Sequence, residues 1–271
     1  MQTPVASVIF TTYNQPAWLE KVLVGFGRQD RSDFEVLVAD DGSRDETRQL
    51  VERLAATLPV TVRHLWQPDD GFRKCEALNM AIREARSDYL IFTDGDCIPR
   101  ADFVSTHLAL REPGRFLSGG YHKLPMDTSQ AITADDIASG RAFDAGWLRS
   151  RGMAASRRDL KLTARGRWAW LLDQLSPARA SWNGHNASCW TRDAIAITDL
   201  AGRVLSGLVI LFLLFDAGLK LAAPEVAIKY SPPGLGWPLD VGTMYMLGIL
   251  LLIPILIFNR VQQRELEGRL V

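Results

Sequence analysis

Cysteine is scarce in this chain: Cys75, Cys97 and Cys189 are the only three in 271 residues. They are too few and too scattered for a disulfide framework or a zinc site, which points to a reducing compartment. A surplus of either charge sign is also missing, with 31 basic residues against 31 acidic ones. Without a basic excess, nothing points to nucleic acid as a bulk partner. The opening Met1-Gln2-Thr3-Pro4 has no basic stretch followed by an apolar core, so no signal peptide is expected. Long apolar runs are absent until about Val204, after which charges thin out. The length suits one sizeable domain with an appendage.

What the sequence does hold is concentrated in Tyr89-Leu90-Ile91-Phe92-Thr93-Asp94-Gly95-Asp96-Cys97-Ile98-Pro99. An apolar run breaking at an Asp-Gly-Asp triplet reads as a buried strand and its terminal turn. Residues two apart on a strand share a face, so Asp94 and Asp96 can reach one point beyond its end. Gly95 lets the backbone turn between them. Two hard carboxylates there suit Mg²⁺ or Mn²⁺, which commonly complete their shell with substrate phosphates. Taken alone, a bare D-x-D is equally a solvated turn.

The flanking chain decides between the two. Val5–Thr12, Phe34–Asp40 and Val60–Trp66 read as three earlier strands. Helices fill the gaps: Pro16 to about Gly27, then a stretch carrying Thr47, Leu50, Val51 and Leu54, then one carrying Ala77, Leu78, Ala81 and Ile82. Alternation of this kind predicts an α/β domain, a mostly parallel sheet flanked by helices. Ligands of such sheets bind outside the carboxyl ends of the strands. The polar clusters Thr11–Asn14, Asp40–Ser43 and Asp94–Asp96 fall at those ends, which favours a nucleotide site with a cation. Asp40 and Asp41 are either turn formers or ligands of a base or ribose, with Asp41 the stronger ligand candidate. Arg73 and Lys74, just before a helix, are either a solvated pair or a charge clamp for a diphosphate.

Residues 100–197 give a weaker pattern. Phe103, Leu108 and Leu110 suggest a helix, and Phe116–Tyr121 a strand. Trp147, Trp168 and Trp170 lie in an Arg-rich stretch, and packing against the sheet is expected of them in preference to lining an acceptor cleft. Ser181–Trp190 reads as a polar loop entering a short strand, with His185 either a functional group or hydrogen-bonded structure.

Taken together, residues 5–197 resemble family 2 of the nucleotide-sugar glycosyltransferases, which have the GT-A fold. The resemblance lies in Val8–Asn14, Val38–Ser43, Gly71-Phe72-Arg73-Lys74 with Leu78-Asn79, and Phe92–Asp96. It implies that Thr12, Tyr13, Asn14, Asp40, Asp41, Arg73, Lys74 and Asp94 hold a nucleoside-diphosphate sugar, UDP-linked, and that Asp94 and Asp96 carry the cation. Trp182-Asn183-Gly184-His185-Asn186 resembles the acceptor segment of the branch containing galactosyl- and N-acetylgalactosaminyltransferases. That branch continues into a Glu-Asp pair whose carboxylate is the general base. Here the pattern ends near Ile197, and Asp193 is the nearest remaining carboxylate. The implied reaction is inverting transfer to a hydroxyl of a glycan or glycolipid. Two other functions stay open: an inactive, truncated or fused nucleotide-binding membrane protein, and a sugar nucleotidyltransferase, although Thr11-Thr12-Tyr13-Asn14 lacks the glycines that such enzymes carry there.

The tail, 198–271, predicts two transmembrane helices at about 204–223 and 241–258, with Asp216 and Lys220 able to pair four residues apart. Arg203 before the first span and Arg260, Arg264 and Arg269 after the second predict a multi-pass inner-membrane protein whose catalytic domain faces the cytoplasm. Gly207–Val209 and Phe215–Lys220 resemble part of the DoxX-like membrane proteins.

Overall fold

The computed structural model describes residues 3–156, 159–175, 181–230 and 240–252. The first half alternates as its hydrophobic pattern dictates: β1 Ser7–Thr12, α1 Pro16–Phe26, β2 Glu35–Asp40, α2 Asp45–Ala55, β3 Thr61–Trp66, α3 Lys74–Glu84 and β4 Tyr89–Thr93. Pro16 supplies the first residue of α1, a position where its missing N–H costs nothing. The chain continues through α4 Phe103–Leu110 and a two-residue β5, Leu117–Ser118, much shorter than the strand expected at 116–121. Short helices follow: α5 Met126–Ala131, α6 Ala134–Ala138, α7 Ala145–Ser150, α8 Leu160–Thr163 and α9 Gly166–Gln174. Then come β6 Asn186–Trp190, α10 Thr191–Ala222 and α11 Pro224–Tyr230.

One six-stranded sheet runs β3-β2-β1-β4-β6-β5. β1 to β4 are mutually parallel, whereas β6 is antiparallel to both β4 and β5. The sheet is therefore mostly parallel, as the strand–helix alternation predicts. Side chains alternate between two cores. Val8, Phe10, Val36, Val38, Tyr89 and Ile91 pack against α1, α2 and α4. Ile9, Leu37, Ala39, Leu90 and Phe92 pack against α3 and Ala194. Both faces being covered explains why β1, β2 and β4 read as unbroken apolar runs. A third cluster (Ile132, Ile137, Ala142, Leu148 and Met153) rests on Val24 of α1 and on Ile98, which follows the Asp94–Asp96 turn. Trp147 packs with this cluster and not with the sheet, and Trp168 and Trp170 are exposed on α9.

The chain divides into two compact units, Met1–Ala196 and Ile197–Val271. Within the second, residues 241–252 are helical and Gly248 lies against Leu221 and the Ala217 carbonyl of α10. Asp216 and Lys220 form the anticipated ion pair. The two-span expectation gains no support: among the described residues no helix is long and apolar enough to cross a membrane. Of the first candidate, the side chains of residues 204–207 lie outside the described ones. Of the second candidate, residues 253–258 lie outside the described residues.

Two glycines show how tightly the loops at the carboxyl edge of the sheet are set. Gly42 has φ +93°, and a β-carbon on it would lie 2.5 Å from Asp69 Cα. Gly71 has φ +76° but open space around it. Gly71→Ala is expected to cost about 1–2 kcal/mol from the left-handed backbone alone. Gly42→Ala should cost ~1–3 kcal/mol more, because the loop beneath it must shift. Urea midpoints of the two variants check this, and equal losses would contradict the close approach.

Candidate active site

The order β2-β1-β4 places a topological switch point between β1 and β4: the chain leaves β1 toward β2 on one side and returns as β4 on the other. Strand ends at such a point diverge and leave a crevice. Asp94, Gly95 and Asp96 lie there. A β-carbon on Gly95 would sit 2.6 Å from the Thr11 carbonyl oxygen, so the turn presses directly on the end of β1. The Cys97 N–H donates to the Asp94 carbonyl at 3.1 Å and closes the turn. One oxygen of Asp94, one of Asp96 and the Cys97 sulfur lie within 4.8 Å of one another. Asp96 is exposed and Asp94 half-buried, which leaves room for other ligands. Burial, then the charges of Asp96 and Asp94, pushes the Cys97 thiol up to about 12. Two hard oxygens on an open rim fit Mg²⁺ or Mn²⁺, while the Cys97 sulfur stays a protonated thiol beside them. Lys74 Nζ stands 3.5 Å from Asp94 Oδ1, at the start of α3.

The residues expected to hold a nucleotide divide into exposed groups and ties. Thr12 is buried, and its carbonyl accepts from the Asp41 N–H at 3.1 Å. Tyr13 is exposed and donates to Asp69 Oδ2 at 3.0 Å. Asn14, at φ +50°, donates its N–H to Ser43 Oγ at 2.8 Å and accepts from the Arg44 N–H at 3.0 Å. Asp41 is almost buried; it accepts from Gln67 Nε2 at 2.6 Å and from the Arg73 N–H at 2.8 Å, and each oxygen keeps a second lone pair. Asp40 corrects the sequence reading. It is fully buried, its Oδ1 accepting from the Ser43 N–H at 2.8 Å and its Oδ2 meeting His64 Nε2 at 2.7 Å, so it shapes the turn and faces no ligand. The Arg73 guanidinium also turns away from the expected clamp, to the Pro68 carbonyl at 2.9 Å and to Glu76 at 3.1 Å. Lys74 is the basic side chain that reaches the acidic turn.

On the acceptor side, β6 enters the sheet with Asn186 paired to Thr93, immediately before Asp94. The Thr93 hydroxyl donates to the His185 carbonyl at 3.1 Å. Trp182 lies edge-on to Phe92 and Phe116, with half its surface exposed. Gly184 faces open space, and the His185 ring stands edge-on to Tyr121 at 4.6 Å. Asn183 is a brace: it accepts from the Asn186 N–H at 2.8 Å and donates to Ser118 Oγ at 2.7 Å. The segment Trp182–Asn186 is thus brought beside the acidic turn. Asp193 is not. Because β6 runs antiparallel, its far end pairs Trp190 with Tyr89, and Thr191 N–H reaches the Asp88 carbonyl at 2.9 Å. Four residues of strand separate that edge from Thr93, about 13 Å. Asp193 therefore lies at the amino edge of the sheet, paired with Arg192, and is out of reach of the crevice.

One buried polar chain had no signal in the sequence. His107 of α4 meets Ser188 Oγ at 2.7 Å through Nδ1 and Asn186 Oδ1 at 2.9 Å through Nε2, while Ser188 meets the Tyr89 hydroxyl at 2.7 Å. Asn186 Oδ1 can only accept, since its Nδ2 donates to the Gly120 carbonyl at 2.9 Å. His107 Nε2 therefore carries the hydrogen, Nδ1 accepts from Ser188, and Ser188 accepts from Tyr89. Burial lowers the His107 pKa to about 4, and burial raises that of Tyr89. A lone His among apolar helix residues looks the same in sequence whether or not it belongs to such a chain.

With the folded pKa below the unfolded one, the unfolded chain binds the extra proton between about pH 4 and 6.5. Stability contributed by neutral His107 is complete above that window and is lost as pH falls through it, by up to about 3 kcal/mol. Replacing His107 with Gln should remove that part of the pH slope in urea titrations. An unchanged slope would contradict the assignment.

Comparison with known proteins finds glycosyltransferases. Residues 7–137 match the model of glycosyl transferase family 2. Validoxylamine A glucosyltransferase from Streptomyces hygroscopicus subsp. jinggangensis is 30% identical over 195 residues, which is 66% of this chain and 46% of the relative. The poly(ribitol-phosphate) beta-N-acetylglucosaminyltransferase TarS of Staphylococcus aureus is 35% identical over 92 residues, 33% of this chain and 16% of the relative. The chain thus spans less than half the length of these curated relatives. Among solved structures, a mannosyltransferase from Pyrobaculum calidifontis, in complex with GDP-Man and Mn²⁺, is 29% identical with a TM-score of 0.37, covering 42% of this chain and 34% of that one. The DoxX-like reading of the tail gains no support, since the family match ends at residue 137 and these relatives are glycosyltransferases. The stretch that matches the family 2 model runs from β1 past the Asp94–Asp96 turn.

Proposed function

We propose that this chain binds a nucleoside-diphosphate hexose, UDP-linked, at the carboxyl edge of β1, β2 and β4 and transfers the sugar to a hydroxyl of a glycan or glycolipid. The observation that carries the reading is the pair Asp94 and Asp96, converging at the switch point against the end of β1 with Lys74 beside them. The relatives support the sugar class, being named as glucosyl- and N-acetylglucosaminyltransferases.

In this reading Asp94 and Asp96 hold Mg²⁺ or Mn²⁺. The cation supplies positive charge against the leaving diphosphate. The Lys74 ammonium adds to that charge, moving from Asp94 to a phosphate oxygen. Asp41 keeps lone pairs for a base or ribose donor, and Thr12 closes the floor beneath it. The acceptor lies against the Trp182 face and the open backbone at Gly184. An inverting displacement also needs a general base within hydrogen-bond reach of the attacking hydroxyl.

The position of Asp193 favours a second reading: donor binding without transfer. The two separate cleanly. Under the first, purified protein with Mn²⁺ releases UDP from UDP-glucose or UDP-GlcNAc; under the second, it binds UDP without turnover. In either case Asp96→Ala should weaken UDP binding in Mn²⁺ by at least about tenfold, the loss typical even of a residue that only supports a metal ligand. Asp193→Asn should leave both binding and turnover at the wild-type value. Calorimetric titration with UDP, with and without Mn²⁺, reads the first effect. UDP affinity that ignores both Mn²⁺ and Asp96→Ala would overturn the proposal.

A further inference from the structure

At the edge of the sheet remote from the crevice, β4 begins beside the end of β6, and a second concave surface forms there. The pairing of Tyr89 with Trp190 sets their rings edge-on at 5.3 Å. The indole is fixed, because Trp190 Nε1 donates to the Glu112 carbonyl at 2.9 Å. Arg111, which follows α4, lays its guanidinium over both rings, 5.8 Å from Tyr89 and 5.6 Å from Trp190. With Asp88 these residues line a hollow of about 220 Å³. A larger hollow of about 460 Å³ adjoins it across Asp88 and Trp190 and is bordered by Pro113 and Arg192. Neither the donor nor the acceptor side of the crevice uses these residues. Their polar groups have hydrogen-bonding capacity to spare. Among the described residues, neither the Arg111 guanidinium nor the exposed Asp88 carboxylate has a hydrogen bond or an ion pair. Asp88 is tied through its backbone carbonyl, which accepts from the Thr191 N–H at 2.9 Å.

We infer that this surface binds a neutral saccharide, at a site separate from the transfer crevice. The charges decide the class. A guanidinium only donates hydrogen bonds and a carboxylate only accepts them. An anion drawn to Arg111 is repelled by Asp88, and a cation drawn to Asp88 is repelled by Arg111. The further guanidinium, Arg192, is balanced by Asp193 at 3.5 Å. A sugar hydroxyl does both jobs at once, giving its hydrogen to Asp88 and receiving one from Arg111 or Arg192. A sugar ring also carries an apolar C–H face, which needs a flat apolar partner. The half-buried Trp190 indole and Pro113, lining the same hollow, supply it. Because the indole is tied and Arg111 is layered on two rings, little ordering is left to occur on binding. The site does not depend on the donor reading. A glycan long enough to reach both edges of the sheet is held at two points, which raises its effective concentration at the crevice.

The test titrates the full chain with maltohexaose, cellohexaose and chitohexaose, read by calorimetry and by saturation-transfer NMR. At least one of the three is expected to bind the parent with a Kd of about 1 mM or lower. Asp88→Ala and Arg111→Ala should each weaken that binding roughly tenfold, the effect of leaving sugar hydroxyls without their partners. UDP binding in Mn²⁺ should stay at the parent value in both variants. Asp88→Ala removes an exposed side chain, so its thermal midpoint should match the parent and a lost signal cannot be ascribed to unfolding. If none of the three saccharides binds the parent, or if binding is indifferent to both substitutions, the inference is overturned. Saccharide binding displaced by UDP would also overturn it, because it would place the sugar in the crevice. Binding of inorganic sulfate that Arg111→Ala abolishes, with no saccharide bound, would make this an anion site instead. A parent that binds saccharide but no UDP would sink the donor site and leave this one standing.

Discussion

The Thr11 carbonyl oxygen stands where a Gly95 side chain would begin, and the candidate site depends on that contact. It fixes the acidic turn after β4 against the end of β1 by backbone alone, without help from a side chain that a ligand would have to displace. Asp94 and Asp96 then face the crevice from a base that cannot retreat. A second close approach, Gly42 on Asp69, does the same for the β2 turn and the loop before α3. Two glycines thus join three loops into one rim.

The cost of such a rim is a set of buried polar groups, each of which must be satisfied. Asp40 does this for the β2 turn through Ser43 and His64, and Asp41 for the loop leading into α3 through Gln67 and Arg73. On the other side of β4, the chain Tyr89–Ser188–His107–Asn186 ties β4, β6 and α4 together and fixes the strand that delivers Trp182–Asn186 to the crevice. The nucleotide and acceptor sides therefore share one sheet but rest on separate polar networks.

The four parallel strands and their helices were readable because burial on both faces leaves an unbroken apolar run, as in Val36–Ala39 and Leu90–Phe92. The acidic turn was readable because strand ends and polar clusters coincide. Other features depend on partners that periodicity does not encode. Asp40 and Asp41 are neighbours of the same type, and only the fold separates a carboxylate closed on Ser43 and His64 from one that ties Gln67 and Arg73. Asp193 follows the acceptor segment closely in sequence, yet β6 reverses direction and carries it to the opposite edge of the sheet. Arg73 resembles a phosphate clamp until the carbonyl of Pro68 is seen beneath it.

The central claim is that a divalent cation and a nucleoside diphosphate meet at Asp94 and Asp96. The most direct measurement is the electron paramagnetic resonance signal of free Mn²⁺ titrated with the protein, with and without UDP, in the parent and in Asp94→Asn. The account predicts that UDP tightens Mn²⁺ binding in the parent and that Asp94→Asn abolishes this coupling. Mn²⁺ binding that is indifferent to UDP, or unchanged by Asp94→Asn, would contradict it.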